Sequence, residues 1–184
     1  MNTKEEKQDR LHEAIKLCEV HCERMDFAHK KLKHYFPLTK EAYLEMPPED
    51  MSYFDQLIFR FSKLQDSMGQ KLFTALLDNL EEESRGVPFL DILGKLEALN
   101  FLRDKNMWVQ LRETRNIVTH EYPFITEAVV DGLNLLDEHS QLLTEIWAEI
   151  KEKIKKYPEQ YYWLHRRWKT KPNNHKKNQS YYNG

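Results

Sequence analysis

Glycine occurs only 5 times and cysteine only twice in the 184 residues, and each scarcity excludes something. Sheet-rich chains need turn residues at short intervals, so this little glycine beside 40% hydrophobic and 32% charged residues favours long helices. Two cysteines cannot build a disulfide scaffold. Cys18 and Cys22 lie one helical turn apart on an apolar face, as buried thiols of a reducing compartment do. No uninterrupted apolar run approaches the roughly 18–20 residues that span a bilayer, and "MNTKEEKQDR" is charged where a signal peptide would be apolar. A cytoplasmic protein with no integral membrane association is expected, one domain in size.

Charge of either sign is scarce only in the sum. The formal net charge is −2, but Pro158 to Gly184 carries Arg166, Arg167, Lys169, Lys171, Lys176 and Lys177 against Glu159 alone, which makes +5 and leaves residues 1–157 at −7. A body of that sign cannot hold RNA by bulk electrostatics, so any nucleic-acid contact needs a local cationic patch or the tail.

Apolar periodicity predicts an all-α fold: an antiparallel bundle of about five helices over 1–157, followed by a basic, aromatic tail over 158–184. Thr3 and Glu6 form a capping-box pattern ahead of the stripe Leu11, Ile15, Cys18, Cys22, Met25, Leu32 and Phe36. A short helix fits Thr39 to Met46, and Pro48 opens a second long helix through Leu57, Ile58, Phe61, Leu64, Met68, Leu72, Leu76 and Leu80. The third starts near Pro88 with Leu90, Leu93, Leu96 and Leu99. Asn106 is the expected cap of the fourth and Thr126 of the fifth, whose apolar seam runs from Val129 to Ile154 and ends at Pro158. Gly69, inside the second helix, predicts a close helix crossing. Trp108 and Trp147 are assigned to the core or a dimer interface.

The fourth helix carries the chemistry. Arg112, Arg115, Asn116, Thr119 and His120 fall on one helical face, and Met107, Leu111 and Val118 on another. A solvated polar face has the same pattern. Here, however, arginine offers a planar fork suited to phosphate, histidine titrates near neutral pH, and Pro123 sets the histidine in the last turn, where the helix dipole favours imidazolium. Arg115 and His120 are about 140° apart on a straight helix, so they meet only if the helix bends or a second copy supplies part of the site.

"WVQLRETRNIVTHEYP" resembles the Arg-x4-His-x-Tyr signature of HepT-like toxins of the HEPN superfamily, with Arg115, His120 and Tyr122 at its three positions and Asn116 at the polar position after the arginine. The resemblance extends through "FDQLIFRFSKLQDSMGQKLF" and "FLDILGKLEALNFL", over roughly residues 50 to 145. It implies a homodimeric, metal-independent endoribonuclease, the toxin of a toxin–antitoxin pair, needing no cofactor. On that resemblance His120 moves the proton, Arg115 stabilises phosphate charge, Asn116 orients one of them, and Arg112 and Thr119 contact RNA. It also implies a nucleotidyltransferase (MntA-like) antitoxin that adds AMP to Tyr122. Two alternatives stand beside it: a non-catalytic nucleotide- or substrate-binding subunit of a nucleotidyltransferase, and a purely structural helical protein.

Cys18, His21, Cys22 and Met25 share a helix but read as core packing rather than metal ligands. "HCERMD", His21 to Asp26, has the His-x4-Asp spacing of glycerolipid-type acyltransferases, mid-helix and without glycine-rich surroundings. "YPEQYYWLHRRWKTKP", Tyr157 to Pro172, resembles the C-terminal end of lipid A acyltransferases. A basic aromatic arm of this kind suits RNA or anionic lipid, and it equally suits a poorly ordered extension. Arg60 is either a surface residue or a partner for the motif.

Overall fold

A computed structural model describes residues 3–80, 82, 84–120 and 127–156, with His120 as backbone alone. Thr3 Oγ1 accepts from the Glu6 amide at 3.2 Å while the Glu6 carboxylate accepts from the Thr3 amide at 2.8 Å, and this reciprocal cap starts α1, Lys4–Leu32. A 3₁₀ turn, Lys33–Tyr35, closes it before Pro37. Thr39 caps the short α2, Lys40–Leu44, through the Ala42 amide. Helix α3, Pro48–Ser67, begins at a proline, whose missing amide is not needed in a first turn. It does not stop at Gly69; a π turn, Met68–Leu72, carries it into α4, Phe73–Asn79, so that the expected second helix is one rod with a wide turn in it. Helix α5, Phe89–Ala98, follows Pro88. Helix α6, Lys105–His120, starts two residues earlier than expected: Asp104 Oδ1 accepts from the Asn106 amide at 2.7 Å, so Asp104 is the cap and Asn106 lies inside the helix. Helix α7 is Glu127–Lys156. Thr126, Pro158 and the whole tail lie outside the described residues.

Side-chain bonds fix the packing order. His21–Arg60 and Arg24–Gln56 pair α1 with α3 in opposite directions, and Lys7–Asn79 continues that register onto α4. His29–Asp137 and Glu19–Lys151 set α7 antiparallel to α1, and Thr114–His139 with Arg103–Glu149 sets α6 antiparallel to α7. Helix α6 then packs against α3, closing a ring of four rods, up and down in turn. The described residues are all helical or connecting, with no strand among them. None of their helices is long and apolar enough to cross a membrane.

The core is the one the stripes describe, with Leu11, Ile15, Met25, Leu32, Leu57, Phe61, Leu64, Met68, Leu133, Leu136, Leu143 and Ile150 fully or almost fully shielded. Trp108 and Trp147 are both core residues. Cys18 and Cys22 are buried free thiols whose pKa values burial pushes up, as inert core cysteines require. On α5 the expected stripe is half right: Leu93 and Leu96 are buried, whereas Leu90 and Leu99 are exposed and Ile92 takes the third core position.

Of the described glycines the most closely approached is Gly132 of α7, where an added Cβ would lie 2.7 Å from Ile117 Cγ2 of α6. At Gly69 an added Cβ would meet Phe89 and Trp108 at 3.4 and 3.5 Å, ordinary contact or nearly so. The close crossing expected at Gly69 therefore belongs to Gly132. We predict that Gly132→Ala lowers unfolding free energy in urea by about 1–3 kcal/mol because stiff, β-branched Ile117 must shift, while Gly69→Ala stays within about 1 kcal/mol of the parent. His21 and His139 both have pKa values below the ordinary histidine value, chiefly from burial. A lowered histidine pKa means that protonation favours the unfolded chain, so stability is full above about pH 6.5 and falls as pH drops below it. The urea midpoint should fall between pH 7.5 and 5.5, and His139→Gln should reduce that fall.

Candidate functional site

A cleft of about 260 Å³ opens where the π turn of the long rod faces α6 and the start of α5. Its walls are Gln65, Asp66, Gly69 and Gln70 from the rod, Phe89 from α5, and Trp108, Arg112 and Arg115 from α6. The sequence dictates this meeting point. On the rod the apolar positions Phe61, Leu64, Met68 and Leu72 bury one face, and Gln65, one turn after Phe61, is a polar residue set into that same face. Gly69 carries no side chain, so Phe89 and Trp108 can come up to the π turn, and Trp108 packs on Phe73 with ring centroids 4.7 Å apart.

Arg115 divides its donors. Nη2 reaches both carboxylate oxygens of Asp66 at 3.4 Å, and Nη1 donates to Asn116 Oδ1 at 3.3 Å. Its Nε is buried with no hydrogen-bond partner among the described residues, and the same is true of Gln65 Nε2 in a side chain only 5% exposed. Buried donors without partners are costly, so two at one cleft mark a place where an acceptor fits. Arg112 stands over the Phe89 ring at 5.8 Å, exposed, with no acidic partner among the described residues. Three donors of this kind against two aromatic walls can hold an oxyanion beside a flat ring. Among the described residues no group of three or more His, Cys, Asp or Glu is placed to hold a metal ion.

The motif residues are only partly gathered here. Arg112 and Arg115 line the cleft; Asn116 touches it through Arg115. Thr119 is exposed and donates its hydroxyl to the Arg115 carbonyl at 2.7 Å, which leaves its oxygen lone pairs for a ligand but fixes its hydrogen on the helix. The His120 side chain and Tyr122 lie outside the described residues. Helix α6 runs without a break in its helical turns from Lys105 to His120, which keeps positions 115 and 120 about 140° apart around it. Among the described residues Arg60 pairs with α1 rather than with the motif: its Nη1 lies 3.1 Å from His21 Nδ1. His21 and Asp26 do not form a catalytic pair either, since His21 is buried against Arg60 and Asp26 bonds Lys30.

Asp66, Gln65 and Phe89 were not singled out by the sequence reading. Gln65 carried a usable signal, a polar residue interrupting an apolar stripe; Asp66 and Phe89 carried none, because their roles depend on which helices meet.

The family model for bacterial lipid A biosynthesis acyltransferases matches residues 106–170, about a third of the chain. No curated protein and no solved structure matches. The similarity takes in the tail resemblance noted above and reaches back through α7 to the second residue of α6. It therefore covers every motif residue from Arg112 to Tyr122, but not His21, Asp26 or the rod side of the cleft.

If the Arg115–Asp66 pair serves a ligand rather than the fold, removing it should cost little. Both side chains are close to one third exposed and the contacts are long. Asp66→Asn and Arg115→Gln should each change unfolding free energy by no more than about 1 kcal/mol; a loss of several kcal/mol in urea unfolding would make the pair a structural clamp instead.

Proposed function

We propose that this chain is an HEPN-type endoribonuclease, the toxin of a toxin–antitoxin pair, working as a homodimer without a metal ion. The observation that carries the reading is Arg115 itself: a guanidinium oriented by Asp66, on a side chain that lines the cleft together with Arg112, with a buried Nε left without an acceptor among the described residues. That is the disposition a phosphodiester oxygen would complete. The motif string from Arg115 to Tyr122 supplies the rest of the proposal. His120, displaced around α6, would work on a phosphate held by the partner copy's arginine as well as its own, which is why the reading needs two copies.

In the reaction, imidazole takes the proton of the ribose 2′-OH as that oxygen attacks phosphorus. The P–O5′ bond breaks, and the leaving oxygen receives a proton from an imidazolium. The products are a 2′,3′-cyclic phosphate and a 5′-OH end. Arg115, with Arg112 beside it, would stabilise the charge that builds on the non-bridging oxygens. AMP attached to Tyr122 by a nucleotidyltransferase antitoxin would bring a second phosphodiester to the same arginines and shut RNA out.

The cleft also favours a second reading, a nucleotide-binding subunit that does not cut RNA. Its small size, and Phe89 and Trp108 flanking the donors, suit a mononucleotide. Acyl transfer has no such support: the histidine and aspartate with acyltransferase spacing do not converge, and they lie outside the matched segment.

The two readings part in one assay. The purified protein should cleave single-stranded RNA in the presence of EDTA and leave the DNA of the same sequence intact, with His120→Ala and Arg115→Ala each reducing the rate about 10²–10⁴-fold. Nucleotide binding without cleavage, or His120→Ala at parental rate, would remove the nuclease.

A further inference from the structure

A second basic and aromatic surface lies outside the cleft, on the solvent side of the α1–α3 pair. Phe27 of α1 and Phe59 of α3 are 51% and 49% exposed, whereas the other phenylalanines among the described residues are buried or half-buried. Phe27 has one cation over its ring and Phe59 has two. Lys31 Nζ lies 5.6 Å from the Phe27 centroid, and Arg60 and Lys63 lie 5.1 and 5.7 Å from that of Phe59. Tyr53 joins the row, edge-on to Phe27 at 6.0 Å. Arg24, exposed one turn before Phe27, accepts through its carbonyl from Gln56 of α3 at 3.2 Å.

The charge of this face is one-sided. Besides burial, the groups that depress the pKa of His21 beneath it are Arg60, Lys63 and Arg24, with no acid among them. Of the acids that α1 and α3 carry near it, Asp66 is engaged by Arg115 and Asp26 by Lys30, and Asp55 lies one turn before Phe59. Glu23, on α1, lines grooves with Lys151 and Lys155 of α7 instead. A protein whose first 157 residues sum to −7 thus keeps a local cationic patch interleaved with exposed rings, and that combination complements a polyanion that also stacks.

The patch also lies at the right height. Helices α3 and α6 run antiparallel, with Arg115 opposite Asp66 and Trp108 opposite Gly69. Five residues beyond Arg115, the α6 terminus at His120 therefore lies about level with Phe61 of α3. Phe59, Arg60 and Lys63 flank that level.

We propose that this outer face of α1 and α3 is a track for single-stranded RNA, with bases stacking on Phe27 and Phe59 and phosphates held by Arg24, Arg60 and Lys63, leading the strand to the end of α6. The track rests on the nuclease reading for its purpose but not for its chemistry, and the test separates the two. The probe is a 5′-fluorescein-labelled 12-nucleotide oligouridine, measured by anisotropy from 50 to 300 mM NaCl alongside cleavage of the unlabelled strand, with circular dichroism confirming helix content of each variant. Arg24→Glu/Lys63→Glu should weaken binding at least tenfold and flatten the slope of log K against log salt by about 1.4, two phosphate contacts on a single strand. Phe27→Ala/Phe59→Ala should weaken it about tenfold with the salt slope unchanged, since stacking carries no counterions. Lys105→Glu, one charge reversal at the far end of α6, should stay within about twofold. Unchanged affinity in both double variants overturns the track even if the parent protein cuts RNA. So does a shift from dimer to monomer on sedimentation with RNA affinity intact, which would make the face a subunit interface. Weakened binding in a protein that never cuts RNA would keep the track and remove the nuclease.

Discussion

The cleft depends on how one guanidinium is shared. Arg115 gives one nitrogen to Asp66 across the α3–α6 boundary and one to the neighbouring Asn116, which leaves the buried Nε without a partner among the described residues. A free arginine would snorkel into solvent with its full rotamer freedom, and a fully paired one would have no donor left for a ligand. The long 3.4 Å approach to Asp66 lies between these limits, which lets the pair orient Arg115 without consuming it.

That sharing rests on the bundle. Arg115 can face Asp66 only because α6 is pressed between the rod and α7, and the contact that sets its depth is the absence of a side chain at Gly132 against Ile117, two residues after Arg115. On the other flank, Thr114 is buried and bonds His139 of α7 at 2.8 Å, so the residue before Arg115 is fixed as well. The π turn completes the arrangement from the opposite side: the widened backbone at Met68–Leu72 offers Gly69 to Phe89 and Trp108 and sets Gln65 at the cleft wall. Burial energetics and ligand geometry meet at these few residues.

Much of this was legible in the chain. Prolines and capping residues act locally, so Thr3 with Glu6, Thr39, Pro48 and Pro88 mark helix starts that the structure repeats. The apolar stripes named the core because burial follows helical periodicity. What local rules missed depended on distance in space. Asp104 rather than Asn106 caps α6, since two capping residues only two positions apart look alike in sequence. Gly69 and Gly132 are both glycines in helices, and only the packed neighbour tells which one is a crossing. Arg60 went to His21, and Asp66 emerged as the partner of Arg115, because helix order around the ring is not written in any one helix. The string from Arg115 to Tyr122 was the reverse case: its residue types were conspicuous, and the structure added, around Arg115, the cleft, the partner carboxylate and an Nε unpaired among the described residues.

The central claim is that Arg115 Nε is held open for a phosphate oxygen. The most direct test is the Arg115 Nε–H resonance in ¹⁵N-labelled protein during titration with a 2′-O-methyl oligoribonucleotide, which binds as RNA does but cannot be cut. The account predicts a distinct Arg115 signal that shifts strongly and becomes slower to exchange with water as the ligand saturates. An Arg115 signal that stays in place while resonances elsewhere on the protein move would contradict it.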